Sequence, residues 1–382
     1  MQLRYSIIAI SALVSFANAQ NYVSVQYMDY DEDSGRTTVH SPHLELNLDF
    51  GADYTLNISG VIDSLSGASP TYYDSSSGAS AKIPKGSVLS SDIAYGDIPY
   101  SDRRKDLSVA LTKRLKSRDE LSVGYNYSTE SDYISNELSL GYLHYLDKSK
   151  NRSIDFGLSY QKNKIKIGCY LGNSECDGVS GASSKVVNEY SYVLNTQIGF
   201  TQILDKNSLI KASLFYINEH GYLSNPYMRV VRDYNINPRI TEERKPDTRH
   251  SYGLGLEYDR AINSKFTTLF SYRLFHDSWG ITSHTFETQL FYDFNSKLRL
   301  GVNLRAYHQS KAKFFSGKKD YFTNEKYASS DRRVGKLSSY SANLSAEYKI
   351  NSKFSINGAV GYYKQVDYFH SNFYNIGFKY RF

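Results

Sequence analysis

Nine histidines are the side chains of this sequence best suited to binding a transition metal or exchanging a proton near neutral pH. Only one pair has a local ligand spacing, His40-x-x-His43, with Glu45 close behind it. The candidates for a metal site are His40, His43, His276, His284 and His308. Most of the histidines fall on different predicted hairpins, so they either converge on one metal or stand apart as polar aromatic residues at an interface. Spacing alone leaves both interpretations open, and we expect no bound cofactor.

Cys169 and Cys176 lie within one predicted loop. An exported chain meets an oxidising compartment, so a local disulfide is the first interpretation and a reactive pair is the second. No C-x-x-C motif occurs. The sequence also lacks G-x-S-x-G, H-E-x-x-H and a phosphate-binding loop, so we do not expect an enzyme.

Charged residues of both signs occupy the polar positions of alternating segments. If those segments closed into a cylinder, these residues would face its lumen: Glu45, Asp49, Glu120, Glu137, Glu257, Arg273, Arg305 and Glu347. Such a wall would tune which solutes pass. The plainer alternative is that acids and bases pair across the lumen and satisfy one another.

The final stretch, SNFYNIGFKYRF, indicates which elements position these side chains. Aromatic and apolar residues alternate with polar ones to the last position, which indicates a β-strand with one apolar face. The apolar positions are Tyr374, Ile376, Phe378, Tyr380 and Phe382. A terminal Phe preceded by alternating aromatics resembles the signal that the bacterial barrel-assembly machinery reads. The alternative is an edge strand in a secreted sandwich.

The same alternation recurs along the chain and predicts an all-β, single-chain transmembrane antiparallel barrel of about 16 strands, with 14 to 18 possible. Every second connection is short and rich in turn-forming residues. The others are long polar segments, at 65–101, 164–184, 219–246 and 311–333. Short turns on the periplasmic side and long outer loops are typical of bacterial outer-membrane barrels.

Residues 1–19 have the pattern of a cleaved signal peptide, with Arg4, an apolar core and Ala17-Asn18-Ala19 before the cleavage site. Residues 20–382 would then form one outer-membrane barrel domain in a Gram-negative bacterium. With 36 Tyr and a formal charge of only +6, the composition suits aromatic girdles and shows no nucleic-acid patch. The expected partners are outer-membrane lipid, the assembly machinery and, less directly, a periplasmic protein.

Six segments also resemble, in this order, a family of Gram-negative outer-membrane barrels known as domain of unknown function 3570. They are DEDSGR (31–36), SGASP (66–70), GYLSNPY (221–227), KPDTR (245–249), DSWGITSHTFE (277–287) and RAYHQSKAKFF (305–315). The resemblance implies the barrel and its membrane, but no substrate or catalytic residue. A loose association of this family with envelope redox proteins adds a hint only.

These patterns predict a channel or transporter for small polar solutes, with a wet lumen narrowed by the long segments at 65–101, 219–246 and 311–333. Arg305 and Arg273 would face Glu45 or other acids across it. The alternative is a binding or assembly component, possibly redox-linked, whose barrel is closed by its own loops. An outer-membrane enzyme is a third, weaker hypothesis.

Overall fold

Sixteen antiparallel strands close into a cylinder in the computed structural model, which describes residues 21–74, 93–168, 186–234, 236, 238–316 and 322–382. The first nine strands are β1 (Tyr22–Glu32), β2 (Thr37–Phe50), β3 (Tyr54–Asp74), β4 (Ile93–Arg114), β5 (Glu120–Thr129), β6 (Tyr133–Tyr145), β7 (Arg152–Gly168), β8 (Val186–Asp205) and β9 (Ser208–Gly221). The barrel resumes with β12 (Thr248–Ala261), β13 (Phe266–Asp277), β14 (Thr282–Asp293), β15 (Leu298–Gln309), β16 (Leu337–Lys349), β17 (Phe354–Gln365) and β18 (Phe369–Arg381).

Between β9 and β12 the chain forms a separate two-stranded sheet, β10 (Arg229–Arg232) and β11 (Arg239–Glu242). The cylinder closes where β1 pairs with β18, from Tyr22 opposite Arg381 to Glu32 opposite Ser371. The predicted fold class and the count of sixteen are therefore confirmed. Among the described residues, no helix has the length and apolar character needed to cross a membrane.

Side chains alternate between the two faces of the wall along the strands, with one register shift in β8 between Ile203 and Asp205. Each barrel strand exposes apolar side chains outward, for example Val25, Leu44, Ile62, Leu107, Val123, Leu138, Leu158, Ile198, Leu214, Leu256, Phe270, Phe286, Leu304, Leu344, Val360 and Ile376. Serine, asparagine and charged residues occupy the alternate, inward positions. A continuous apolar belt of this extent would be unfavourable in water and matches the hydrocarbon core of a bilayer.

The short turns explain why the hairpins form where they do. The turn sequence I/F-N-S-K occurs three times, at 262–265, 294–297 and 350–353. In each turn the Asn side-chain oxygen accepts hydrogen bonds from the backbone amides that follow it. Asn263, for example, accepts hydrogen bonds from the amides of Lys265 and Phe266, both at 2.9 Å. These side-chain bonds replace part of the backbone pairing that the turn interrupts. We call the end of the barrel with these turns and both ends of the described chain the terminal end, and the opposite end the loop end.

The predicted loop segment 65–101 is partly strand. β3 and β4 continue to Asp74 and from Ile93, and remain paired over that whole length, so much of 65–101 extends a hairpin beyond the barrel wall. The prediction of a loop there was wrong because the segment is rich in Ser, Gly and Asp and lacks an apolar face. A hairpin outside lipid needs no such face, since it is held by backbone hydrogen bonds. Residues 1–20, including the predicted signal peptide, lie outside the described residues.

Candidate functional site

The inward face of the barrel carries every charged residue that the alternation assigned to the lumen: Glu45, Asp49, Glu120, Glu137, Glu257, Arg273, Arg305 and Glu347. Most of the carboxylates are satisfied by the strands beside them. Glu45 accepts hydrogen bonds from the Tyr22 hydroxyl at 2.8 Å and from Asn57 at 3.2 Å. Thr55 donates to Asp49 at 2.6 Å. Lys211 pairs with Glu257, and Arg381 lies 3.7 Å from Glu347.

The two lumen arginines lie against aromatic rings rather than against acids. The Arg273 guanidinium lies 4.6 Å from the Phe215 ring centre, and that of Arg305 lies 5.3 Å from the Tyr307 ring centre. Phe215 can lie flat along the wall because Gly253 leaves it room: a Cβ there would fall 1.9 Å from the ring. Such contacts with the ring faces are favourable for a guanidinium.

Arg273 and Glu45 do not meet across the lumen. Between β13 and β2 lie six strands in one direction around the barrel and eight in the other, so the two residues sit on nearly opposite walls. Glu45 bonds to residues of neighbouring strands, and Arg273 packs on the Phe215 ring. On this wall, charges of opposite sign pair between neighbouring strands, as Lys211 does with Glu257 and Arg104 with Asp63, while Arg273 and Glu45 stand on nearly opposite sides of the lumen.

The histidines are not gathered at one centre. His40 and His43 point to opposite faces, because residues three apart on a strand differ in side. His276, His284 and His308 face outward near the loop end. His284 and His308 are register partners, and their Nδ1 atoms lie 2.8 Å from the Tyr272 and Ser338 hydroxyls, respectively. The structure thus places His276, His284 and His308 as outward-facing polar aromatic residues.

Cys169 and Cys176 lie outside the described residues, and their disulfide stays a prediction.

Two segments at the loop end fold together into one unit, which we call the cap: the described residues of 222–247 and 310–336. Backbone hydrogen bonds join the segments. Arg244 and Ala328 exchange two such bonds, each 2.9 Å, and the Phe322 amide donates to the Val231 carbonyl at 3.2 Å. Segments far apart in sequence therefore form one continuous backbone network.

The cap packs on the β13–β14 turn of the barrel through a shared apolar core. Six buried side chains pack in the larger cluster: Leu223, Trp279, Ile281, Ala312, Phe314 and Val334. A second cluster joins Val230, Phe322 and Ala328. Trp279, the only tryptophan of the chain, comes from the β13–β14 turn, and its ring meets Phe314 edge-on at 5.1 Å. The expectation that 219–246 and 311–333 would line a wet constriction without a dry core was therefore wrong.

A buried ion-pair network lies at the junction of the two cap segments. The Lys245 ammonium lies 3.0 Å from Glu243 and 2.9 Å from Asp331, and these side chains are at most 3% exposed. Arg333 also pairs with Asp331, at 2.7 Å. Although burial acts to raise the pKa of Asp331, the charges of Arg333 and Lys245 hold it well below its usual range. Buried charges with such complete pairing fix one arrangement of the two segments.

The cap contacts the barrel at points spread around the mouth. β10 lies against β3, and the Tyr227 hydroxyl contacts Asp132 in the β5–β6 turn. On another side, the Arg332 guanidinium lies 4.0 Å from the Tyr368 ring centre in the β17–β18 turn. Trp279 adds a contact in the β13–β14 turn. Contacts in four separate sectors mean that the cap spans the mouth at the loop end.

Inward wall residues near that end are correspondingly hidden from water. Val39 and Leu65 are register partners on β2 and β3, and they are 1% and 7% exposed. On β7, Ile165 and Ile167 are also buried. Farther toward the terminal end Glu45, Asp49 and Glu137 stay partly exposed, while other inward polar residues, such as Ser24 and Glu120, are buried. The accessible part of the lumen wall is therefore polar, and at the loop end both apolar and polar wall residues, such as Val39 and Asp63, are buried.

Three carboxylates, those of Asp102, Glu130 and Asp132, gather where the cap meets the β5–β6 turn. Burial, followed by the charges of Asp102 and Asp132, raises the pKa of Glu130 to about 7. Asp132 is the residue that Tyr227 of the cap contacts. Ionisation of Glu130 therefore adds repulsion at one attachment point of the cap.

This attachment should weaken as the pH rises. With a raised carboxyl pKa, the folded protein binds more protons than the unfolded chain between the ordinary pKa and about 7, so stability falls as pH rises through that window. We expect the urea midpoint of cap opening, followed by Trp279 emission, to fall between pH 5 and pH 8. Glu130→Gln should abolish most of that slope, and the exposed Glu325→Gln should retain it. An unchanged slope in Glu130→Gln would exclude this carboxyl as the cause.

Sequence reasoning missed the cap network of Glu243, Lys245, Asp331 and Arg333. Its residues lie 86 positions apart in places, and no periodicity marks a buried pair in a polar segment. A signal was nevertheless present. Four of the six family-like segments contribute to the cap core, its ion pairs or its docking contacts, through residues such as Leu223, Lys245, Trp279 and Phe314.

The fold and the site together define a transmembrane β-barrel whose polar lumen is closed at one end by a folded cap. By sequence, the chain belongs to the family described as protein of unknown function (DUF3570), whose model matches residues 9–375. The predicted family is thereby confirmed. No sequence match to a curated protein was found.

Among solved structures, the chain is similar to a mutant of the ferric enterobactin receptor PfeA from Pseudomonas aeruginosa, with 10% identity and a TM-score of 0.48. The alignment covers 91% of this chain but 54% of the receptor, so the chain spans about half its length. A bacterial polysaccharide outer membrane secretin matches with 7% identity, TM-score 0.48, and 96% and 99% coverage of the two chains. The CymD monoaromatic hydrocarbon channel matches with 9% identity, TM-score 0.43, and 96% and 89% coverage.

Proposed function

We propose that this protein is a gated channel for small polar solutes in the outer membrane of a Gram-negative bacterium, with the loop end outside. The observation that supports it is the contrast along the lumen. Charged and amide side chains line the accessible part of the wall, while a separately folded cap closes the mouth. If side chains of the protein filled the lumen, its wall would not need solvent-exposed charged residues.

The membrane placement rests on the barrel itself. A closed sheet satisfies all backbone hydrogen bonds within its wall, which lipid requires, and an apolar belt surrounds it. Short turns and both ends of the described chain share one end of the cylinder, as in barrels whose turns face the periplasm. Assembly would then use the terminal aromatic strand that ends at Phe382.

Conductance tests the proposal directly. Both cap segments can be replaced by short Gly-Ser turns, because β9 pairs with β12 and β15 pairs with β16. In planar bilayers we expect small or rare currents from the intact protein and large, steady currents from the capless variant. If the capless barrel is folded, as judged by its heat-dependent migration in SDS, yet electrically silent, the channel function is wrong.

Arg305 should set part of the ion selectivity. Its guanidinium faces the lumen beside Tyr307, and its register partners are Glu287 and Ser341. In the capless background, Arg305→Glu is expected to shift the permeability ratio severalfold toward cations. Lys364→Glu makes the same charge change on the outward face and should leave the ratio unchanged. Equal shifts for both variants would indicate a surface-charge effect rather than a lumen effect.

One observation favours a second function. The cap has a dry core and presents a cleft of about 440 Å³ lined by aromatic and basic residues, among them Trp279, Phe322 and Lys326. A cap that never opens would make the protein a closed binding or assembly component. Conductance of the intact protein separates the two functions, since a gated channel should show rare openings in planar bilayers and a permanently closed component should show none.

A further inference from the structure

The outward surface of β4 to β7 changes from apolar to basic toward the loop end. On β7 the outward series Phe156, Leu158 and Tyr160 continues as Lys162, Lys164 and Lys166. On β4 the outward Leu107 gives way to Lys105 and then Arg103. The two strands therefore leave the apolar belt with five cationic side chains on the face that meets the membrane.

The strand register brings these side chains into one patch, which we call the basic patch: Arg103, Lys105, Lys162, Lys164 and Lys166. Lys105 is opposite Thr129, Thr129 is opposite Ile134, and Ile134 is opposite Lys164. Three strand spacings therefore separate Lys105 from Lys164, about 14 Å. Along β7, successive lysines lie about 7 Å apart. A multiply charged group could thus contact several of these side chains at once.

The described outward side chains of the strands that carry this patch include no acid. In the described parts of β4 to β7 from Ser101 onward, no carboxylate faces outward, and no ion pair there joins a patch side chain to an acid. The carboxylates of Asp102, Glu130 and Asp132 lie together beside the patch, where the Lys166 ammonium donates to the Ser131 carbonyl at 3.5 Å. Asp102 occupies an inward position, and Asp132 contacts Tyr227 of the cap.

Tyrosines mark the boundary between the belt and the patch. The Lys162 ammonium lies 5.3 Å from the Tyr190 ring centre, and Tyr160 is 48% exposed beside it. Tyrosine prefers the interface where hydrocarbon meets polar headgroups. Lysine can keep its stem along the apolar surface while its charge reaches the headgroups. The patch therefore lies at headgroup level when the apolar belt spans the bilayer.

We propose that the basic patch binds the phosphate groups of an anionic glycolipid in the surrounding leaflet. Charge complementarity selects this occupant: five cations face lipid, and phosphate is the anion that a membrane surface offers there. The proposal requires the membrane placement but not solute passage, so a silent channel would leave it intact.

Native mass spectrometry of the detergent-solubilised protein tests the proposal with bisphosphorylated lipid A as the probe. The test variant carries Lys162→Gln, Lys164→Gln and Lys166→Gln. The control carries Lys113→Gln, Lys116→Gln and Lys148→Gln, which removes three exposed lysines near the terminal end. We expect the test variant to lose on the order of 100-fold in affinity, and the control to lose little.

Two further arms distinguish the source of the phosphate. Dephosphorylated lipid A should bind far more weakly to the intact protein than the bisphosphorylated form. Inorganic phosphate at the same concentration should not displace the lipid. Equal binding by both lipid forms, equal losses in the two triple variants, or displacement by inorganic phosphate would each overturn the proposal. Heat-dependent migration in SDS verifies that both variants are folded.

Discussion

Lys245→Met should release the cap while the barrel stays closed. Met keeps much of the length of the side chain but removes the ammonium group, which leaves Glu243 and Asp331 buried with one cationic neighbour, Arg333. Removing one partner of a buried ion pair lowers stability by roughly 3–5 kcal/mol. The lost free energy destabilises the junction of the two cap segments. The cap should therefore open at a lower urea concentration.

Trp279 makes the cap and the barrel separately observable. It is the only tryptophan, and its side chain lies in the cap core with 6% exposure. Its emission should move to longer wavelength when the cap opens, while heat-dependent migration in SDS reports the barrel. Lys311→Met, an exposed change in the same cap, should leave both signals as in the parent protein.

Two results would contradict this account. If Trp279 emission and the barrel signal of Lys245→Met change together at one urea concentration, the cap is not a separate unit. If neither changes, the ion pairs do not hold the segments together. On the proposed function, cap release should also raise the conductance of the full-length chain, since the polar lumen would then open at both ends.

The network also predicts how acid acts on the cap. Asp331 has a pKa well below its usual range, so its contribution is complete above the ordinary carboxyl pKa and is lost as pH falls toward the lowered one. Glu130 acts in the opposite direction at milder pH. Cap stability should therefore be highest on the acidic side of neutral and fall toward both extremes.

The barrel could be predicted from sequence because every second residue of a strand that crosses lipid must be apolar. Leu44 and Leu46, or Ile376 and Phe378, must face hydrocarbon, and that constraint leaves a period of two over each crossing strand. The same reasoning gave the inward positions of Glu45 and Arg305. It could not say what those side chains touch, because their partners on neighbouring strands depend on register.

Beyond the membrane this requirement no longer applies, and there the predictions failed. The extension of β3 and β4 lacks a lipid-facing side, and the sequence therefore predicts a loop there. β10 and β11 have four residues each, too few for any period to be recognised. The contact of Val230 with Phe322 joins positions that no local pattern connects. Only the family-like segments, which include Lys245 and Trp279, indicated that this region has a defined structure.

A charge on the lipid face of the closing strand should destabilise the barrel strongly. Ile376 lies near the middle of β18, is 50% exposed on the outward face, and stands opposite Tyr27 of β1. Lysine or arginine at the midplane of a barrel's lipid face costs about 2–4 kcal/mol. Ile376→Lys should lower the free energy of unfolding from vesicles by that amount, measured by denaturant titration with far-UV circular dichroism.

Asn375→Lys is the matched control, since it places the same charge one residue away on the inward face. There the ammonium group meets a polar lumen instead of hydrocarbon, so its effect should stay within about 0.5 kcal/mol. The comparison holds the strand, its pairing with β1 and the new side chain constant, and varies only the face. Equal losses from the two variants would mean that the outward belt does not lie in lipid, and the membrane placement would be wrong.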